Sequence, residues 1–378
     1  MKTIAFAIAF GVLIIPCQAE DTLNELADFS FEELLNVNVA TAGKFVQSRE
    51  QSPAVISILS KEDIASYGAQ NLLEVLQRLP SVQMMGSFFY PQNLAVIRGT
   101  QLTHSNNEVL ILINGRPLRD SFTGGQNFAI FSAFPVSSIQ QIEMIRGPGS
   151  VLYGSNAFLG VINIITHTDS VQQLHLAIGE DGKANAELNW GESLENGYWN
   201  VAGKLYSESG WRHSAIDNRG QSGAFDAGEK NASLVLSGKQ GQFTWSGAIM
   251  RSEQDFWGAV SVWSGDPPQT QRQVTSQRTT LDIGYQLTLS QEQYIDTNLS
   301  YSGSDFSHYN YDALSDNWLA EVTWHHTDIW EGHLLVGGDG MASGGGYTRR
   351  YARGAYTRFF SQLGKCLSAV SDGRPRAS

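Results

Sequence analysis

The sequence predicts an α+β domain followed by a partial antiparallel transmembrane β-barrel, about nine strands of an expected ~22. Three observations predict it. All nine tryptophans lie between Trp190 and Trp330, so the composition of the 378-residue chain changes near residue 170. Before that point short apolar runs mix with helical patterns; after it, apolar and polar residues alternate at a period of two. Ahead of both stands a leader of export type, with Lys2, an apolar run from Ile4 to Ile15 and small residues before a cut after Ala19. The chain divides into the leader (1–19), an arm (20–43), the α+β domain (44–168), the partial barrel (171–348) and an atypical tail (349–378).

Composition excludes several classes. With 42% apolar and 16% charged residues the chain is not disordered by composition. With 37 acids against 25 bases, net −12, it offers no basic surface to a nucleic acid. Cys17 lies in the leader and Cys366 in the tail, so no disulfide framework is expected. The leader's apolar run falls short of the ~20 residues a spanning helix needs. Beyond it the longest aliphatic run is Val109–Ile113, so any membrane insertion has to be by closed β-structure.

In the α+β domain, Pro53–Leu59 reads as an apolar strand. Ser60 can cap a helix starting at Lys61, with Asp63 in its first turn and Gly68 as its stop. Asn71–Leu79 is a second helix, with Leu72, Leu76 and Leu79 on one face and Pro80 after it. Leu94–Arg98 and Glu108–Asn114 are strands, the second continuous enough to be buried on both faces. Asn114-Gly115 marks a tight turn. Ile139–Ile145 and Gly160–Thr166 are two further strands. Between them, Arg146-Gly147-Pro148-Gly149-Ser150 is glycine-rich, but it lacks the Lys-Ser/Thr ending of a phosphate loop and opens no long helix.

The run Ile139 to Thr166 (IQQIEMIRGPGSVLYGSNAFLGVINIIT) resembles the plug domain of TonB-dependent outer-membrane receptors. So do Val109–Leu118 (VLILINGRPL), the triplet Ile97-Arg98-Gly99 and the helix Leu72–Val82 (LLEVLQRLPSV), in the family's order. The resemblance implies a plug inside a barrel, uptake of a scarce small ligand such as a ferric siderophore, with cobalamin or haem as variants, and TonB in the inner membrane as energy source. No cofactor and no metal site are implied.

In the arm, Asp28–Leu35 can form a short amphipathic helix. Val37, Asn38, Val39, Ala40, Thr41 and Ala42 then alternate like a strand. Alone this is equally a linker; beside a plug it is similar to the TonB box, an extended segment that TonB captures by strand addition, in which backbone bonds supply affinity. The resemblance also implies a plug–barrel lock at Arg98, Glu143 and Arg146, since such plug charges pair with acids on the barrel's inner wall in the family. Ligand contacts are expected from connections facing outward: Phe88, Phe89 and Tyr90 within Ser87–Gln92, and Gln101 and His104 within Thr100–Asn107. The three aromatics can equally pack inside the plug.

In the barrel part the apolar set Leu281, Ile283, Tyr285 and Leu287 alternates with Asp282, Gly284 and Gln286. Ile295, Thr297, Leu299 and Tyr301 oppose Asp296, Asn298 and Ser300; Trp318, Ala320, Val322 and Trp324 oppose Leu319, Glu321, Thr323 and His325. Weaker strands are read around 173–179, 184–190, 198–206, 231–237, 242–251 and 332–338. Connections at 191–197, 238–241, 289–293 and 327–331 are short, and those at 207–230, 252–278 and 303–315 are long, as when one barrel end carries turns and the other surface loops. A soluble sandwich shows the same alternation of residues but does not need the leader.

So few strands are not enough to house a plug of ~14 Å radius of gyration, because an eight-stranded barrel is filled by its own side chains. From Arg349 onward there are seven bases and one acid, against 18 and 36 before it. The chain therefore reads as the front half of a receptor, with a truncation or frameshift expected near 340–350. The other readings are a passive porin or adhesin, and a non-functional receptor fragment. An enzyme is not expected: His325 and His326 point to opposite faces of a strand, and no acid pair or nucleophile–base spacing stands out.

Overall fold

The N-terminal domain is built from short elements whose ends are set by local chemistry. The structure is a computed structural model describing residues 38–39, 41, 47–48, 54–86, 94–100, 105–121, 124–216, 222–256, 272–308, 311–329 and 332–349. Two short strands, β1 (Asn38–Val39) and β2 (Gln47–Ser48), pair antiparallel. Strand β3 (Ile56–Ser60) runs into helix α1 (Lys61–Tyr67). The Ser60 hydroxyl accepts from the Asp63 amide at 3.1 Å and the Asp63 carboxylate accepts from the Ser60 amide at 3.0 Å, a reciprocal cap. Gly68, left-handed at φ 61°, ends the helix as expected.

Helix α2 (Leu72–Leu76) is capped by the Asn71 side chain and is shorter than the 71–79 expected. Its C-terminal end tightens: the amides of Arg78 and Leu79 bond carbonyls three residues back, and Pro80 follows. Strand β4 (Val82–Met85), which the sequence did not suggest, pairs with β5 (Leu94–Ile97). Strand β6 (Val109–Ile113) is buried at every position. Asn114 at φ 50° and Gly115 at φ 79° make the two-residue turn into β7 (Arg116–Pro117).

Helix α3 (Phe128–Ala133) is buried on all sides, and its lack of a polar face hid it from periodicity. Then come β8 (Ile139–Arg146), the single turn α4 (Ser150–Tyr153) and β9 (Gly160–Thr166). The domain's five-stranded sheet has the order β3-β8-β9-β6-β7, with β6 and β9 parallel. Leu72, Leu76, Ile111, Phe131, Ile142 and Ile162 belong to the main core. In the glycine-rich stretch the amides of Gly147 and Gly149 donate to the carbonyls of Leu159 and Ala157, at 3.0 and 2.9 Å, so they are spent inside the fold.

The second part comprises β10 (Val171–Ile178), β11 (Ala184–Leu194), β12 (Gly197–Glu208), β13 (Arg212–Ile216), β14 (Ser222–Asp226), β15 (Glu229–Gln240), β16 (Phe243–Phe256), β17 (Arg272–Thr288), β18 (Gln293–His308), β19 (Tyr311–Ile329) and β20 (Gly332–Arg349). Nine of them form one sheet in the order β10-β11-β12-β15-β16-β17-β18-β19-β20, every neighbour antiparallel and the sheet not closed. Two differences from expectation stand out. The 207–230 connection contains a separate β13–β14 hairpin. The 303–315 connection is mostly strand, because β18 and β19 stay paired up to His308 and Tyr311. Both strands run past the segment where one face is apolar, and there the sequence loses its alternation.

The burial of this sheet is inverted. Leu281, Ile283, Tyr285, Leu287, Leu299, Trp318 and Val322 are exposed, while Asp282, Asn298, Ser300, Asn317 and His325 on the other face are buried. The buried polar face lies against the first domain, with α3 packed on β15, β16 and β17. A polar interior with an apolar exterior is the pattern of a barrel wall in lipid. No helix among the described residues is long and apolar enough to cross a membrane.

Candidate functional site

The candidate site is the seam where the N-terminal domain meets the wall, together with the arm docked beside it. Val39 and Thr41 of the arm are buried. The Thr41 amide and hydroxyl both donate to one oxygen of Glu143, at 2.9 and 2.5 Å. The side-chain amide of Asn163 donates to the Thr41 hydroxyl at 3.0 Å, and the Tyr153 phenol donates to the Thr41 carbonyl at 2.8 Å. Glu143 is itself buried in the middle of β8, and its other oxygen accepts from Gln141 at 2.7 Å. Burial first, then the charges of Glu143 and Glu321, push the Tyr153 phenol above its ordinary value. It therefore remains a donor at neutral pH. A carboxylate in the core thus fixes the arm at Thr41 through both its backbone amide and its hydroxyl.

This docking lies in a cleft of about 310 Å³ lined in part by Thr41, Arg116, Tyr153, Tyr198, Asp296 and His325. The wall residues Tyr198, Asp296 and His325 sit near the short hairpins of the sheet, so the arm enters at the end that carries the tight turns. His325 is buried, stacks on Tyr294 with centroids 4.3 Å apart, and contacts Asp296 at 3.2 Å. His326 lies against Trp324 on the opposite face.

Along the seam, most contacts are made by wall side chains on domain backbone. Glu187 of β11 and Lys204 of β12 face each other at 3.2 Å, both buried. The Lys204 ammonium also donates to the Gln70 carbonyl, and Glu187 accepts from the Ser137 amide at 3.2 Å. Asn189 donates to the Ser137 carbonyl at 2.6 Å. Ser233 donates to the Ala133 carbonyl at 2.6 Å, and Gln254 to the Ser132 hydroxyl at 2.8 Å, seating α3. Arg278, fully buried, donates to the Arg119 carbonyl at 2.8 Å and to Asn127 at 3.2 Å. Arg116 reaches Glu321 at 3.4 Å, an ion pair from domain to wall.

Of the residues singled out in the sequence, Glu143 and Thr41 come together. Val39 is buried nearby in a cluster with Tyr153, and Asn38 lies in β1. Val37, Ala40 and Ala42 lie outside the described residues, as do Phe88, Phe89, Tyr90, Gln101 and His104. Arg98 is exposed in a left-handed turn at φ 54°. Arg146 is half-buried at the end of β8, and its Nε has no hydrogen-bond partner among the described residues. Neither arginine makes an ion pair among the described residues. Arg116, Arg119, Lys204, Glu187 and Arg278 went unremarked in the sequence, because polar residues on a wall's inner face look like polar residues in water.

Comparison with known proteins agrees with this geometry. Residues 48–161 match the family model of the TonB-dependent receptor plug domain. The chain is 33% identical over 248 residues to the vitamin B12 transporter BtuB of Photobacterium profundum, an alignment covering 62% of this chain and 36% of that protein. The pyoverdine outer membrane receptor FpvA of Pseudomonas aeruginosa shares the fold at a TM-score of 0.61 and 12% identity, over 84% of this chain and 50% of FpvA. The siderophore receptor PiuA of Acinetobacter baumannii does so at 0.57 and 15%, over 87% and 52%. These relatives are transporters and receptors, and the chain spans about a third to a half of their lengths. Residues 48–161 therefore match the TonB-dependent receptor plug domain, and the open nine-stranded sheet that follows shares its fold with part of the barrels of such receptors.

Proposed function

We propose that this chain is the plug and leading wall of an outer-membrane receptor, exported by its leader, that takes up a scarce ligand with energy supplied by TonB. The observation that carries the reading is the docking of Thr41 at the tight-turn end of the wall. The segment pairs as a strand at Asn38–Val39 and is held at Thr41 by two bonds to the backbone and two to the hydroxyl, few enough to be exchanged for another strand, which suits capture by strand addition. The plug fills the polar side of the wall, which argues against a passive porin. The ligand we propose is a ferric siderophore, as the family resemblance implies. Cobalamin is the second reading, favoured by the identity to a vitamin B12 transporter.

The reading makes Val37–Ala42 the TonB-binding segment, with outer-membrane lipid around the wall. It keeps Arg98, Glu143 and Arg146 as lock residues, the arginines toward acids outside the described residues. Two measurements test it. The periplasmic domain of TonB should capture the full chain and fail to capture a chain lacking residues 37–42; equal capture of both would refute the segment's role. Binding of the full chain to a panel of ferric siderophores and to cyanocobalamin then separates the two ligand readings.

A further inference from the structure

The single-turn helix α4 joins two places that no sequence motif connects. At one end of its last residue, the Tyr153 phenol holds the Thr41 carbonyl. At the other, the Tyr153 carbonyl accepts from the Arg119 guanidinium, which also donates to the Ser155 carbonyl at 2.6 Å. The Arg119 backbone is in turn stitched to the wall. Its carbonyl accepts from Arg278 of β17 at 2.8 Å, Ser302 of β18 at 3.0 Å and Asn317 of β19 at 3.4 Å, and its amide donates to Ser302 at 3.2 Å.

Two residues on, the Ser121 amide donates to Ser315 at 2.9 Å and its hydroxyl to the Gly344 carbonyl at 2.9 Å. Residues 116–121 thus form a strap bonded to four consecutive wall strands. A second chain of bonds runs in parallel: Asn163 donates to the Thr41 hydroxyl and accepts from the Gly115 amide at 2.9 Å, next to the Arg116–Glu321 pair.

The α4 turn is also built to move as a unit. Gly147 at φ 139° and Gly154 at φ 69° flank it in conformations that L side chains rarely adopt. Its outer surface is free, with Val151 99% exposed. Besides its own turn bonds to Gly149, Ser150 and Ala157, α4 is tied to arm and strap among the described residues by the Tyr153 side chain and carbonyl, and Leu152 and Tyr153 pack in the cluster that holds Val39.

We propose that α4 is a lever that couples docking of the arm at Thr41 to attachment of the 116–121 strap to the wall, with Tyr153 and Arg119 as its two positioning residues. Undocking the arm removes the phenol's acceptor, frees the turn on its glycine hinges and withdraws Arg119's carbonyl partners. The strap is then held to the wall by fewer fixed groups. The functional meaning rests on the reading of 37–42 as the segment TonB pulls; the coupling itself does not.

Amide hydrogen exchange on the full chain in detergent micelles tests the lever without TonB. Tyr153→Phe keeps the ring and removes the donor. The Thr41 amide and the strap amides of Arg119 and Ser121 should all exchange about fivefold to tenfold faster, the size expected for one lost hydrogen bond. Amides of Ile111 and Ile162 should not change. Faster exchange at Thr41 with an unchanged strap overturns the lever. If the phenylalanine variant loosens the whole plug, Arg119→Lys is read instead. Coupling is reciprocal, so loosening the strap must speed exchange at Thr41, and an unchanged Thr41 amide overturns the proposal. A lever that fails while TonB still captures the chain through 37–42 leaves the receptor reading intact, and the converse result leaves the lever intact.

Discussion

In the plug, Leu72, Leu76, Ile111 and Ile162 are hidden and charged side chains such as Glu62 and Arg98 face out; in the wall, Leu281, Ile283 and Trp318 face out while Arg278, Lys204 and Asn189 are hidden. The plug is stabilised as a water-soluble domain is, by apolar area withdrawn from solvent. The wall buries its polar groups against the plug and leaves its apolar stripe to a surrounding that must itself be apolar. The seam between them is mixed: Val235, Ala248 and Met250 of the wall join the plug core around α3, Val274, Phe306 and Ala313 pack on Phe128, and elsewhere the bonds run mostly from wall side chains to plug backbone.

The comparison breaks most visibly in the plug core. Phe131→Ala should cost ~3–5 kcal/mol of plug stability in denaturant unfolding, as a large buried side chain does. Leu281→Ala on the wall's outer face should cost far less by the same assay in detergent. Next in size is the buried pair. Lys204→Met alone leaves the Glu187 carboxylate buried without its cation and should cost ~3 kcal/mol or more, while Lys204→Met with Glu187→Leu should recover much of it. A single variant as stable as the parent would mean that the seam is wet. Third, Ile283→Arg should cost ~2–4 kcal/mol for folding into lipid bilayers; an effect near zero would take the outer face out of the membrane.

The smallest effect is a pH dependence at the plug–wall junction. Burial is the largest single influence on the Asp169 carboxyl and raises it, but the hydrogen bond from His167 at 2.9 Å, a bond from its own backbone amide and the charges of His167 and Lys61 together outweigh it and hold the group below its ordinary 3.8. Its contribution is therefore complete above pH 3.8 and fades as pH falls through the lower, folded value. Exchange near residues 167–169 should quicken in that acidic window, and Asp169→Asn should abolish the dependence.

How much of this the sequence disclosed follows from the same contrast. The α1 cap, the turn at Asn114-Gly115, the continuous β6 strand and the outer-face set of β17 all have local causes, and all were legible. The short helices α3 and α4 were not, since six and four residues give no period to read. The lengths of β17, β18 and β19 were missed where the polar-inward alternation breaks, with Val274, Phe306 and Ala313 turned inward onto Phe128. At the site, Glu143 was marked by resemblance, but its partner Thr41, 102 residues away, depends on the fold. Arg278 and Lys204 were hidden in plain view, because their burial exists only once the plug fills the wall.

The central claim, that the nine-stranded sheet turns its apolar face to lipid and its polar face to the plug, is tested most directly by a spin-label scan of residues 281–287 in bilayers. Labels at 281, 283, 285 and 287 should collide with lipid-dissolved oxygen, and those at 282, 284 and 286 should be protected. Uniform access to a water-soluble relaxant, with no alternation along the strand, would contradict it.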